Sequence, residues 1–138
     1  MARTEELSTV LITGGTDGLG RAAAVMLAEQ GYRVVATGRS AERRAQLEAL
    51  ARERKLPLTT VEMGVREDAS VERGLAETRS QMGQIDVLIN NAGIGYYAVI
   101  EEITMEDLRQ QFETNFFAAV RLTQHVLPEM RARKRGRI

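Results

Sequence analysis

Thr13-Gly14-Gly15-Thr16-Asp17-Gly18-Leu19-Gly20 follows the apolar run Val10-Leu11-Ile12 and leads into an alanine-rich segment. A strand that enters a Gly-rich turn and then a helix gathers free backbone N–H groups and the positive end of the helix dipole at one point, where a pyrophosphate can sit. Glycine suits that turn because a Cβ would block the close approach of a phosphate to the backbone. Gly15 and Gly20 also satisfy the G-x-x-x-x-G of a P-loop. That reading fails at Arg21 and Ala22, which stand where a P-loop needs Lys and a Ser or Thr hydroxyl.

Outward from the turn, the chain alternates. Residues 7–13 are expected as a first strand and residues 21–30 as a helix rich in Ala and Leu, stopped by Gly31. A second strand is expected over 33–37, where Val34-Val35-Ala36 is apolar without alternation, as in a parallel strand covered on both faces. Ser40 can cap a helix reaching residue 54, with Leu47, Leu50 and Ala51 on one face and Pro57 beyond its end. Residues 58–63 read as a third strand. Val71, Leu75, Thr78 and Met82 then recur at helical spacing up to Gly83, with Gly74 inside that helix costing about 1 kcal/mol relative to Ala.

Residues 86–90 form the expected fourth strand. Thr104 and Asp107 resemble a capping box at the start of the longest helix, along which Leu108, Phe112, Asn115, Ala119, Leu122, Val126 and Met130 form one stripe, with a bend expected at Pro128. Strand and helix alternating throughout require parallel strands, right-handed crossovers and helices on both faces. The expected class is α/β, a doubly wound parallel sheet in a single domain over 1–138.

Composition narrows the function. With 138 residues, 43% of them hydrophobic, the chain can bury a real core. Its formal net charge is zero, which gives no global field toward nucleic acid or an acidic membrane, and neither partner is expected. Cysteine is absent, so disulfides and thiolate metal sites are excluded, and no metal is expected. The polar amino terminus and the short run at residues 10–12 suit neither a signal segment nor a membrane span, and a cytoplasmic protein is expected.

The end of the second strand speaks to the cofactor. An acidic residue about 20 residues past the glycines ordinarily holds a ribose 2′-OH. Here the chain reads Thr37-Gly38-Arg39-Ser40: the acid is missing and a cation is present. A guanidinium there can pair with a 2′-phosphate, so NADP(H) is favoured, with NAD(H) still possible.

Thr13 to Gly20 and Asn90-Asn91-Ala92-Gly93 resemble the TGxxxGxG and NNAG motifs of the short-chain dehydrogenase/reductase family, and the similarity runs through Asn115 to the last residue. The resemblance implies a Rossmann-type fold and nicotinamide chemistry on a small-molecule carbonyl or alcohol. It places Gly14, Thr16, Gly18, Leu19 and Gly20 around the pyrophosphate, Arg39 at the 2′-phosphate, and Asn91, Ala92 and Gly93 on the adenosine ribose side. Two positions depart from the family pattern. Asp17 stands where many NADP-preferring members carry a second base, and its carboxylate opposes a 2′-phosphate. Gly64, ahead of Val65, replaces an Asp that holds the adenine amino group, which leaves only backbone contacts there.

Asn115 is the one strongly polar residue on the apolar stripe of the long helix, so something must satisfy its amide. Read from the residues alone, it is a buried Asn bonded to neighbouring backbone; the resemblance implies the catalytic Asn that positions a water in a proton relay. His125 has no second ligand of its type nearby and is expected to pack or face solvent. Arg131, Arg133, Lys134, Arg135 and Arg137 complement a helix C-terminus. Tyr96 and Tyr97 either border the substrate or pack.

Reduction of a carbonyl also needs a proton donor, in this family a Tyr with a Lys four residues later, assisted by a Ser. Four residues beyond Tyr32, Tyr96 and Tyr97 stand Ala36, Ile100 and Glu101. The family pattern implies that Gly136-Arg137-Ile138 leads into a fifth strand just ahead of the Ser. The chain is therefore expected to be the cofactor-binding half of an oxidoreductase, incomplete on its C-terminal side and inactive alone. A non-catalytic dinucleotide-binding sensor or assembly module is the alternative. Without a fifth strand the fourth has a free apolar edge, so the isolated chain is expected to self-associate through it or to be poorly stable, and a homo-oligomer is expected.

Overall fold

The computed structural model describes residues 8–138. Its elements are β1 (Thr9–Ile12), α1 (Gly18–Glu29), β2 (Arg33–Gly38), α2 (Ala41–Arg54), β3 (Leu58–Glu62), α3 (Asp68–Met82), β4 (Val87–Ile89), α4 (Met105–Phe112) and α5 (Ala118–Ala132), with a π-helical turn over Glu113–Phe117 joining the last two. The four strands are all parallel, in the order β3-β2-β1-β4. Leu7, expected in the first strand, lies outside the described residues.

Apolar runs without alternation give the sheet two covered faces. In register, Val10, Leu11 and Ile12 lie beside Val34, Val35 and Ala36 of β2 and beside Val87, Leu88 and Ile89 of β4. Successive side chains point to opposite faces. Leu11, Val35, Val61 and Leu88 therefore pack with Val71 and Leu75 of α3 and with Leu122, Val126 and Met130 of α5. Val10, Ile12, Val34 and Ala36 pack with Ala24 and Ala28 of α1 and with Leu47 and Ala51 of α2. A shift of one residue in any strand would exchange the two sets.

Two elements differ from the sequence expectation. The first helix starts at Gly18, three residues earlier than Arg21, so Gly18 and Gly20 lie in its first turn. The long helix is not one regular element: it widens at Glu113–Phe117, not at Pro128, which lies within α5. The π turn moves the buried stripe to Thr114, Ala118, Leu122, Val126 and Met130, while Phe112 stays 59% exposed and Asn115 lies at the surface.

β4 is tied down at its start by Asp86. One carboxylate oxygen accepts from the N–H of Thr9 (3.0 Å) and the other from Arg133 of the segment after α5 (2.7 Å), while Arg133 also donates to the carbonyl of Ile85 (2.8 Å). The outer edge of β4, expected to be free, is occupied at one point. Arg137 donates to the carbonyl of Asp86 (3.0 Å) and accepts from Leu88 (3.0 Å), forming a parallel bridge to Val87.

Burial raises the pKa of Asp86, but the N–H of Thr9 and the guanidinium of Arg133 outweigh it, and the net position is below the ordinary 3.8. A carboxyl with a folded pKa below its unfolded one stabilises the fold fully above about pH 4, and that stabilisation is lost as pH falls through the folded value. Asp86→Asn is expected to cost roughly 1–2 kcal/mol near neutral pH. In denaturant unfolding across pH, the difference from the unsubstituted chain should close toward pH 2; a difference that stays constant would refute the role of the carboxylate.

Candidate functional site

The order of the sheet reverses at β1: β2 and β3 lie to one side of it, and β4 to the other. In open α/β sheets the crevice outside the carboxyl ends of the strands at such a point is where ligands bind. Here it separates Thr13 at the exit of β1 from Asn91 after β4, and a polar lattice closes it at the base. The hydroxyl of Thr13 accepts from the N–H groups of Asn91 and Ala92 (both 3.0 Å), and the Asn91 amide donates to the carbonyls of Thr13 (3.0 Å) and Gly14 (3.2 Å). Thr13 is 1% exposed, so these N–H groups have no easy substitute in water.

Above that lattice lies a cavity of about 910 Å³. It is lined by Gly14, Thr16, Asp17, Gly18, Leu19 and Gly20 from the first turn, Arg39 after β2, Gly64 and Val65 after β3, and Asn91, Ala92 and Gly93 after β4. All of the residues expected at a cofactor thus border one space. Its size lies within the range of small-molecule and cofactor sites.

The glycines let the walls of that space pack closely. A Cβ on Gly20 would run into the carbonyl oxygen of Gly14 and the Asn91 amide, so only glycine lets α1 start this close to the β4 exit. A Cβ on Gly38 would strike the Thr16 side chain, which is packed over the end of β2. A glycine-walled turn facing the first turn of a 12-residue helix fits the phosphates of a dinucleotide.

The far end of the cavity is held by side chains. Arg44 donates to the carbonyls of Gly38 and Arg39 (both 2.9 Å) and to Glu62 (3.2 Å), fixing the peptide that carries Arg39. Arg39 itself is exposed at the cavity wall. The N–H of Gly64 donates to the buried Ser70 hydroxyl (2.8 Å), and the carbonyl of Val65 accepts from Arg121 (3.0 Å). Much of the backbone polarity expected to serve an adenine there is therefore engaged within the fold. Arg121 also pairs with Asp68 and with Glu113 (2.7 Å), joining the π turn to α3; the hydrogen bond to Glu113 leads the causes that hold its pKa above the ordinary arginine value, against a smaller opposing effect of burial.

Asn115 is bonded to backbone, as read from the residues, but it is exposed and not buried. Its carbonyl oxygen accepts from the N–H of Ile94 (2.8 Å) and its amide donates to the carbonyl of Ile94 (2.8 Å), so the π turn holds the segment after Gly93 by a two-point clamp. One N–H and further acceptor capacity of the amide are left over. Tyr96 borders the cavity, its hydroxyl on Gln110 (3.3 Å), whereas Tyr97 projects wholly into solvent. His125 lies partly buried on α5, where its carbonyl accepts from Arg79. Among the described residues there is no group of three or more His, Cys, Asp or Glu able to hold a metal, and no helix is long and apolar enough to cross a membrane.

Sequence reading passed over Thr13, Ser70, Arg43 and Arg44 as site residues. Thr13 belongs to the quoted turn, and its position at the strand exit was the available signal. Arg43 acts on a carboxylate 26 positions away, and Ser70 and Arg44 act on loop backbone five or six positions off, at spacings that match no capping or turn motif.

The parallel sheet reversing at β1, with its Gly-rich strand-to-helix turn at the reversal, defines a Rossmann-type α/β domain. Residues 8–138 match the model of the short chain dehydrogenase family, and the chain belongs to that family. It is 42% identical over 134 residues to retinol dehydrogenase 8 of Bos taurus, covering 94% of this chain and 42% of that protein. It is 38% identical over 130 residues to the NADP-dependent 3-hydroxy acid dehydrogenase YdfG of Salmonella typhi, covering 94% of this chain and 51% of that one. A crystal structure of an actinorhodin polyketide ketoreductase variant with NADPH superposes with a TM-score of 0.91 at 31% identity, covering 100% of this chain and 53% of that one. The chain spans about half the length of the curated relatives it matches.

Thr13→Val removes the acceptor shared by Asn91 and Ala92 while keeping the shape of the side chain. It is expected to cost roughly 2 kcal/mol of stability. Amide hydrogen exchange at Asn91 and Ala92 should accelerate more than at the β2 and β3 core; uniform acceleration would count against a local lock.

Proposed function

We propose that this chain is the cofactor-binding half of an NADP(H)-dependent oxidoreductase that interconverts a carbonyl and an alcohol on a small-molecule substrate. The observation that carries the reading is the single cavity shared by the Gly-rich turn, Arg39 and the Asn91-Ala92-Gly93 segment. In this reading Gly14, Thr16, Gly18, Leu19 and Gly20, with Asp17 among them, surround the pyrophosphate. Gly64 and Val65 border the adenine, and Asn91, Ala92 and Gly93 border its ribose. The cofactor, when bound, supplies or accepts the hydride. The chain's own residues hold it, orient it and screen it from water.

Arg39 favours NADP(H). Its guanidinium stands where an acid would be needed for a ribose 2′-OH, on a peptide fixed by Arg44. The named NADP dependence of one relative and the NADPH in one similar structure support the same choice. NAD(H) is the competing cofactor. Asn115, clamped on Ile94, would hold a relay water with its remaining polar capacity.

In this reading the residues that complete the reaction, a Ser and a Tyr-x-x-x-Lys pair, lie in the part of the relatives that this chain does not match, and the domain over 1–138 is incomplete without them. The protein is read as cytoplasmic and as a homo-oligomer, the association favoured by the exposed rings of Phe112, Phe116 and Phe117 along one helical stretch. Against a dinucleotide-binding module without chemistry, the discriminating observation is the reading frame past residue 138: a stop codon there would sink the oxidoreductase assignment.

Titration with NADPH and NADH, followed by intrinsic or cofactor fluorescence, tests the cofactor. Arg39→Ala is expected to weaken NADPH binding by about 10- to 100-fold, the worth of one charge-assisted contact, and to leave NADH within about twofold. An unchanged preference would refute the role of Arg39.

A further inference from the structure

We propose that Arg43 is a second cation for the 2′-phosphate and that Asp17 is its internal counter-ion, so that the Asp17–Arg43 pair sets how strongly the chain discriminates NADP(H) from NAD(H). This rests on the NADP(H) reading above.

Three arginines meet at this corner of the cavity, and their surroundings separate their roles. Arg44 is committed, with only 16% of its side chain exposed and its guanidinium on two carbonyls and Glu62. Arg39 is fixed at its backbone by Arg44 and lines the cavity. Arg43 lines the same cavity from the first turn of α2, where its N–H donates to the capping Ser40 hydroxyl (3.3 Å), and its side chain is 57% exposed. Its guanidinium lies 2.7 Å from the carboxylate of Asp17.

Asp17 holds the N-cap position of α1, with extended backbone (φ −148, ψ 161), yet its side chain does not cap that helix. A carboxylate at such a position ordinarily accepts from the N–H groups of the first turn. Here it reaches out of the Gly-rich turn to α2, across the gap between the ends of β1 and β2. The pair is therefore a bridge between the cradle that faces the pyrophosphate and the corner that holds Arg39.

An ion pair this exposed is worth little to the fold, from nothing to about 1 kcal/mol. A 2′-phosphate, with close to two negative charges and three acceptor oxygens, competes for Arg43 on better terms than a single exposed carboxylate. A ribose 2′-OH offers no such exchange. With NAD(H), Arg43 stays on Asp17; with NADP(H), it turns to the phosphate. The Asp17 carboxylate thus keeps Arg43 at the cavity wall and limits the preference to a moderate value, because Asp17 repels the phosphate once Arg43 has moved.

The experiment measures binding of adenosine 2′,5′-bisphosphate and adenosine 5′-monophosphate to the chain by titration calorimetry, so the readout is discrimination and not turnover. Arg43→Ala is expected to weaken the bisphosphate by about tenfold, about 1.4 kcal/mol, and to leave the monophosphate unchanged. Asp17→Asn should tighten the bisphosphate by about threefold or more, and the double variant should fall between the two. Arg54→Ala removes the same charge from α2, at a residue paired with Glu29 and outside the cavity, and should change neither probe. Arg43→Gln serves as a second variant if the alanine lowers the unfolding midpoint.

If Arg39→Ala abolishes discrimination while Arg43→Ala and Asp17→Asn leave it intact, this inference fails and the NADP(H) reading stands. Equal loss of both probes with Arg43→Ala, or an equal effect of Arg54→Ala, also overturns it. If the unsubstituted chain shows no preference for the bisphosphate, the NADP(H) reading falls and takes this inference with it.

Discussion

Everything the cavity contains depends on the hydrogen bonds between Thr13 and the Asn91-Ala92 segment. Two strand exits that diverge from a twisted sheet would otherwise leave four backbone polar groups facing each other without partners. The Thr13 hydroxyl and the Asn91 amide satisfy them across a sequence separation of nearly eighty residues. Once the exits are fused, Gly14 is held against Asn91, α1 must begin within contact of that amide, and Gly20 becomes the only residue type that fits. The Gly-rich turn is thus a consequence of how closely β4 is drawn to β1.

The architecture was legible because it is written in local periodicity. Val34-Val35-Ala36 and Val10-Leu11-Ile12 carry no alternation, and strands without alternation need cover on both faces, which the two core clusters supply. The capping box at Thr104 and Asp107 was readable for the same reason, since its partners are three residues apart. The π turn was not. Leu108, Phe112 and Asn115 keep helical spacing with the buried residues beyond them, and an inserted residue in the helix register leaves no mark in such a stripe. What selects the wider turn is tertiary: the clamp of Asn115 on Ile94 and the reach of Arg121 to Glu113 and Val65.

The candidate site divides along the same line. Its glycines and its Asn-Asn-Ala-Gly segment stood out as motifs, since they act through backbone and need particular residue types at fixed offsets. Ser70 behind Gly64 and Arg44 behind Arg39 did not, because a serine or arginine in a helix looks like any other until the strand it supports is placed beside it. Asp17 was legible as a carboxylate opposed to a 2′-phosphate, but its partner Arg43 was not, lying 26 positions away on another helix.

The two ends of the cavity are accordingly built to different tolerances. At the β1–β4 end, buried hydroxyl and amide groups fix backbone to backbone, and a change there is felt by the fold. At the β2–β3 end, exposed arginines beside the start of α2 present charge without close packing, and a change there costs the fold little. The β1–β4 end can be kept rigid while the opposite corner is left to exposed side chains that contribute little to the fold. In this chain that separation is physical: Arg44 carries the structural duty at the corner, while Arg39 lies exposed at the cavity wall and the guanidinium of Arg43 is held by an exposed pair with Asp17.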